Sequence, residues 1–376
     1  MAMTPRERYV AALTFGNPDR IPFSPGGPRE STLRAWRTQG LPEGVEWFDF
    51  LCETLGIQPG RALEYTNLGA DFRMIPQFEE KVLEHKDGHY IVQDWKGNIC
   101  EISDTFDVTY LRMARDFVTR RWIKCPVEGR EDWERMKERY RLDAPGRFAA
   151  DFEQGCEKLR GRDYPISINF AGPFWQMREW CGFEGLCMMM VEQPELVDEM
   201  AAFYREFVAA MLERILARAT PDIVHYSEDM AYKAHSMISP AMARRFCKPC
   251  WDRWTSMSKK AGVPVVAIDS DGFIGELIPI WIESGVNSCD PIEVAAHNDI
   301  VEFRGLFGRR MSYRGGVDKR AMAKGGRVIR EELARIEPVV RSGGYIPGCD
   351  HGVPSDISWP NFVDYARLLA KMTGWL

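Results

Sequence analysis

From residue 160 onward the chain repeats one unit, and that repeat decides the fold class. A short apolar run leads into a polar turn and then into an amphipathic stretch. The runs are Tyr164–Phe170, Asp222–Tyr226, Val263–Ile268, Val286–Ser288, Met311–Arg314 and a last one leading into Gly348. The stretches between them are Pro194–Ala217, Pro240–Ala261, Gly275–Ser284, Asp299–Phe307 and Val328–Ser342. Apolar strands separated by helices long enough to cross back over a sheet imply parallel βα units. The expectation is an α/β chain closed into a (β/α)8 TIM-type barrel, a single domain over residues 1–376. A doubly wound open sheet is the rival.

Before residue 160 the pattern is less regular. Thr4-Pro5-Arg6-Glu7 combines an N-cap, a proline at the first helical position and a glutamate to close a capping box. That helix should run to about Phe15. Arg20 to Phe23 reads as a strand entering the Ser24-Pro25-Gly26-Gly27 turn, and Trp36 to Leu55 as helical. Between Val82 and Ser103 the period changes to two, with turns at Lys86-Asp87-Gly88 and Lys96-Gly97. This predicts a three-stranded meander inserted beside the barrel mouth, with His85, Asp87 and His89 pointing outward. Pro126–Tyr140 and Asp151–Leu159 read as charged helices.

Composition excludes several classes. A net charge of −6 with interspersed signs offers no basic stripe for nucleic acid and no polybasic membrane patch. No apolar run nears the roughly 18 residues that span a bilayer. The charged start Met3-Thr4-Pro5-Arg6 does not read as a signal peptide. Ten cysteines without framework spacing suggest reduced thiols and a cytoplasmic location. Cys247-Lys248-Pro249-Cys250 lies inside a helix with no second pair to complete a zinc site. Dinucleotide, phosphate-loop and nucleophile-elbow motifs are missing.

The turns at the strand ends are the informative part. They carry Glu228 and Asp229, Asp269 and Asp271, Cys289 and Asp290, Asp318, and finally Cys349, Asp350 and His351. Asp290 and Asp318 read most simply as helix caps. In a barrel these strand ends converge on one face, and acids, a thiol and an imidazole together suit a metal site or an acid–base site. The expected ligand set is Glu228, Asp271, Cys349 and His351, with Asp269 in reserve. Cys349 and His351 can share a face of an extended strand while Asp350 cannot. Arg178 or Tyr313 is expected to orient an anionic or phenolic substrate.

At these residues the chain resembles the uroporphyrinogen decarboxylase superfamily, which also holds cobamide-dependent methyltransferases. The resemblance rests on Arg20-Ile21-Pro22, Gly172-Pro173-Phe174, Glu228-Asp229 followed by Ile238-Ser239-Pro240, and Asp271-Gly272 with Ile278-Pro279. It continues through Pro291-Ile292-Glu293-Val294, Gly315-Gly316-Val317-Asp318-Lys319 and the Gly-Cys-Asp-His-Gly ending. The resemblance implies a (β/α)8 barrel with its site at the carboxyl ends of the strands. Two departures redirect the activity it implies. The arginine-rich stretch that holds porphyrinogen carboxylates is here Ser24 to Glu30, with the single arginine Arg29. The family's zinc motif His-x-Cys-Gly is here Asp269-Ser270-Asp271-Gly272, while Cys349 matches the last ligand. The site implied is thus harder and oxygen-rich, with zinc as the metal.

The expected function is a methyltransferase that demethylates a small methoxylated compound and passes the methyl group to a corrinoid on a separate protein. The alternatives are a metal-independent decarboxylase or lyase, and a non-catalytic corrinoid or tetrapyrrole binding protein. In the lyase, Asp229 or Asp271 would stabilise a cationic intermediate and His351 would shuttle the proton. A homodimer is an open expectation.

Overall fold

The structure is a computed structural model and describes residues 2–105 and 120–376. Its strands are β1 (Glu64–Tyr65), β2 (Lys81–Lys86), β3 (His89–Gln93), β4 (Ile99–Ser103), β5 (Arg120–Lys124) and β6 (Ile166–Ala171). They continue with β7 (Ile223–Ser227), β8 (Val265–Asp269), β9 (Ser288–Asp290), β10 (Ser312–Val317) and β11 (Tyr345–Cys349). Seven form one parallel sheet in the order β1-β6-β7-β8-β9-β10-β11. Apart from the wide step from β1 to β6, neighbours in space are neighbours in sequence, as right-handed βα crossovers produce. Among the described residues no helix is long and apolar enough to cross a membrane.

The sheet curls. Arg314 on β10 donates to the Tyr65 hydroxyl on β1 at 3.1 Å, although four strands stand between them. Ile223, Val265 and Ile346 from three strands share one cluster with Tyr9, Ala12 and Leu13 of the helix Pro5–Leu13. That helix plugs the amino-terminal end of the curl. It starts at Thr4 with the capping box that the sequence specifies.

Among the described residues no eighth strand joins this sheet, so the ladders described do not close a (β/α)8 barrel. The chain at residues 21–27 runs beside β11, where Cys349 N–H donates to Pro25 O (3.2 Å) and Val353 N–H to Gly27 O (2.9 Å). Pro22 and Pro25 have no N–H to give, which removes the alternate bonds that a ladder needs. Toward β1 the seam holds a cavity of about 180 Å³, walled by Pro22, Phe23, Ser24, Tyr65 and Arg314.

A second, four-stranded antiparallel sheet runs β2-β3-β4-β5. Its fourth strand, β5, lies beyond the three that the period-two pattern predicts. The stretch Trp36–Leu55 is not one helix, since its residues fall in two, Glu30–Arg37 and Trp47–Leu55. They are separated at Gly40-Leu41-Pro42, where Gly40 has φ +114°, a conformation that favours glycine. The main core lies between the parallel sheet and the surrounding helices, with Trp36, Trp180, Trp251, Trp254 and Trp281 fully buried.

Candidate active site at the carboxyl edge of the parallel sheet

Side chains alternate across a strand, so each turn residue goes either into the curl or out toward the helices. Asp269 ends β8 facing inward, level with its register partner Asp290 on β9. The two carboxyls have opposite environments. Asp290 Oδ2 accepts from Arg314 Nη2 at 2.6 Å, and its Oδ1 lies 3.2 Å from His225 Nε2. Burial pushes its pKa up, but Arg314 and then His225 override burial and hold it below the usual carboxylate range. Asp269 has no such cation in contact. Burial first, then the charges of Asp290, Asp271 and Asp229, push its carboxyl well above the usual range. Two neighbouring acids are thus shifted in opposite directions, Asp290 toward its ionised form and Asp269 toward its protonated form. That is how acid and base roles are assigned within one site.

Asp290 is therefore not the helix cap that the sequence suggests. The difference has a physical origin. Arg314 points into the curl from β10, and such a buried inward arginine must be neutralised by a facing acid. Asp318 is the cap, accepting from Arg320 N–H at the start of the helix Lys319–Lys324. His225 turns inward. Its Nδ1 accepts from Asn169 Nδ2–H at 2.7 Å, which leaves Nε2 to face Asp290.

Of the four expected ligands, two meet. His351 Nε2 lies 3.1 Å from Asp271 Oδ2, and this bond, opposed by burial, raises the imidazole's pKa. The other two go elsewhere. Glu228 is wholly buried on the helix side, where its Oε2 accepts from Phe174 N–H (2.9 Å) and Trp175 N–H (3.2 Å) and its Oε1 from Trp251 Nε1–H. It caps the helix Pro173–Cys181 from outside, because Pro173 brings no N–H and the next two donors need an acceptor. Cys349 belongs to the sheet–helix core, where burial pushes its thiol up to about 12. The strand ends at Cys349, so the alternation that should place it beside His351 stops there. Among the described residues no group of three or more His, Cys, Asp or Glu is arranged to hold a metal ion. The residues present do not fit a zinc site.

Arg178 and Tyr313 also part company. Tyr313 is fully buried among the helices, donating to Phe303 O at 3.2 Å, one residue out of phase with the inward Arg314. Arg178 stands at the mouth's rim, where its guanidinium donates to the Asp229 carbonyl (2.9 Å) and carboxylate (3.0 Å) and lies over the Trp175 ring. Asp229 is held there with φ +39°. Replacing Arg178 with alanine should leave Asp229 unneutralised beside the mouth and raise KM for an anionic substrate about tenfold, the size of one charge-assisted bond. A steady-state comparison with a neutral analogue checks this, since the neutral compound should show little change.

Asn169, His225 and Arg314 belong to the inward layer although nothing in the turns points to them. The signal available in the sequence is polar residues at alternate positions of β6, β7 and β10, which is what an inward polar layer looks like.

Known proteins share parts of this architecture. The family profile described as uroporphyrinogen decarboxylase (URO-D) matches residues 123–366, more than half of the chain. The opening stretch Arg20-Ile21-Pro22 lies outside that match. No curated protein matches in sequence. Among solved structures, a methyltransferase from Methanosarcina mazei aligns over 98% of each chain with TM-score 0.55 and 12% identity, a likeness of fold. A B12-independent methionine synthase from Shewanella sp. W3-18-1 aligns over 61% of this chain and 67% of its own, with TM-score 0.39 and 14% identity.

Proposed function

This chain belongs to the uroporphyrinogen decarboxylase family, and from that premise we propose that it is an enzyme of the methyltransferase type, removing the methyl group of a small methoxylated compound. Asp269 is the observation that carries the reading. A carboxyl at a strand end, in register with an acid held by Arg314 and His225 and itself pushed toward its protonated form, suits a general acid placed where the family keeps its site. An ether oxygen is a poor leaving group until it is protonated. Asp269 gives its proton to that oxygen as the methyl–oxygen bond breaks, so the product leaves as a hydroxyl compound. The methyl group would pass to a reduced corrinoid carried on a separate protein, which when bound would supply the nucleophile.

The chain's own residues then do three things. Asp290, fixed by Arg314 and His225, keeps negative charge beside Asp269 and so keeps the proton on it. Asp271 and His351 form a second proton-holding pair near Asp269. Arg178 and Asp229 set the rim. Protonation is what activates the oxygen. The fold likeness to a methyltransferase supports the reading in kind.

The same protonated carboxyl favours one rival, a metal-independent decarboxylase of a small acid, in which Asp269 would protonate the carbanion left by carbon dioxide. One assay separates them. The protein is mixed with reduced corrinoid and a set of methoxylated and carboxylated aromatic compounds, and both corrinoid methylation and carbon dioxide are followed. Methylation that depends on the methoxy group supports the transferase. Carbon dioxide without methylation replaces it with the decarboxylase.

A further inference from the structure

Outside the rim of the mouth, two adjoining cavities lie between β5 and the helices Pro173–Cys181 and Phe183–Glu192. The inner one, about 330 Å³, is within the size range of small-molecule sites. The outer one, about 720 Å³, shares Arg120, Trp122, Cys125, Gly182 and Phe183 with it, so the two form one groove. Trp122 and Phe183 are each about half exposed here (48% and 47%), and Trp175 stands in the inner wall. Large aromatic surfaces open to water on one concave face mark a binding site more often than chance exposure.

The polar lining narrows the ligand. Three cations, Lys96, Arg120 and Arg178, face the inner cavity against one carboxylate, Glu179. Lys96 is paired with Glu179 and Arg178 with Asp229, whereas Arg120 has no ion pair among the described residues and rests over Trp122 at 5.4 Å. Asn98 is 1% exposed and stands in the same wall. Its Nδ2 and backbone N–H are taken by Asp94, but its Oδ1 is buried with no hydrogen-bond partner. A buried acceptor left open is costly unless something donates to it.

We propose that this groove binds a planar aromatic carboxylate that also carries a hydroxyl group. The ring would lie against Trp122 and Trp175, the carboxylate would meet Arg120, and the hydroxyl would donate to Asn98 Oδ1. The site is separate from Asp269 and its reality does not depend on the reaction proposed above. Its inner end reaches Arg178, which holds Asp229, so a bound ring abuts the mouth.

Isothermal titration of the full chain with 4-hydroxybenzoate tests this, with benzoate, phenol and 4-hydroxycyclohexanecarboxylate as probes lacking one feature each. The hydroxybenzoate should bind saturably and each of the three about tenfold more weakly, the loss expected for one contact. Trp122→Ala and Arg120→Ala, both at exposed or rim positions that should not unfold the chain, should each weaken binding by a similar factor. Asp269→Asn should not change it. No saturable binding, equal binding by the variants, or loss of binding in Asp269→Asn would each overturn the groove as the site. The last would place the ligand in the mouth instead.

Discussion

Asp269→Asn should lower turnover about 10²–10⁴-fold, the range expected for loss of a positioned general acid. Asparagine keeps the size and removes the transferable proton. The fold should be unaffected, because only burial and neighbouring charges are felt by the Asp269 carboxyl and no described residue hydrogen-bonds it. Removing one of four clustered acids, Asp229, Asp269, Asp271 and Asp290, also relieves repulsion. The pH profile has a definite sign. An acid works only while protonated, and this carboxyl holds its proton to a raised pH, so turnover should be level on the acid side and fall as pH rises through that raised value. Asp290 stays ionised across the same range, held by Arg314 and His225. Measuring kcat from about pH 5 to 9 for the wild type and Asp269→Asn checks both statements. A variant with full turnover would remove Asp269 from the chemistry and with it the reading of the site.

Glu228→Ala should be the most destabilising single change, by about 3–5 kcal/mol in urea unfolding. It strands the buried N–H groups of Phe174 and Trp251, each costing roughly 1–3 kcal/mol when left without an acceptor, and the partly buried N–H of Trp175. Above about pH 8, where Glu228 is ionised, the helix Pro173–Cys181 also loses a negative charge at its amino end. Gly172→Ala should act on the same contact, since a Cβ there would stand 2.2–2.6 Å from the Glu228 carboxyl atoms. Burial pushes the Glu228 pKa up from 4.5 to about 8, although all three partners are donors that favour the charged form. A carboxyl raised on folding contributes its full stability below the unfolded value and loses it as pH rises through the folded one. Wild-type stability should therefore decline between 4.5 and about 8 and level off above. Glu228→Gln, neutral at every pH, should show no such decline but a lower plateau, because its amide N–H₂ cannot accept from the donors it faces. An Ala variant as stable as the wild type would show the cap to be unimportant.

Glu228 and Asp269 look alike in the chain, each the first acid after an apolar strand. One ends among helices and the other inside the curl. The difference is a single residue of phase: β7 ends at Ser227 and β8 at Asp269. A one-residue shift moves a side chain to the opposite face, and strand ends are where sequence patterns are least sharp. Tyr313 and Arg314 repeat the lesson on β10, where the tyrosine expected from sequence faces the helices and its neighbour faces the inside of the curl.

Local pattern was enough to read the parallel βα units, the capped first helix, the period-two excursion and the set of turns that carry acids. Those depend on periodicity and on caps a few residues long, which any segment expresses without its neighbours. Which acids lie together, that Asp290 is paired rather than a cap, that Cys349 is core, and that the prolines at 22 and 25 leave a seam depend on the assembled fold. Each depends on groups far apart in sequence, such as Arg314 with Tyr65 or Glu228 with Trp251, whose meeting is set by how the sheet curls and where each strand stops.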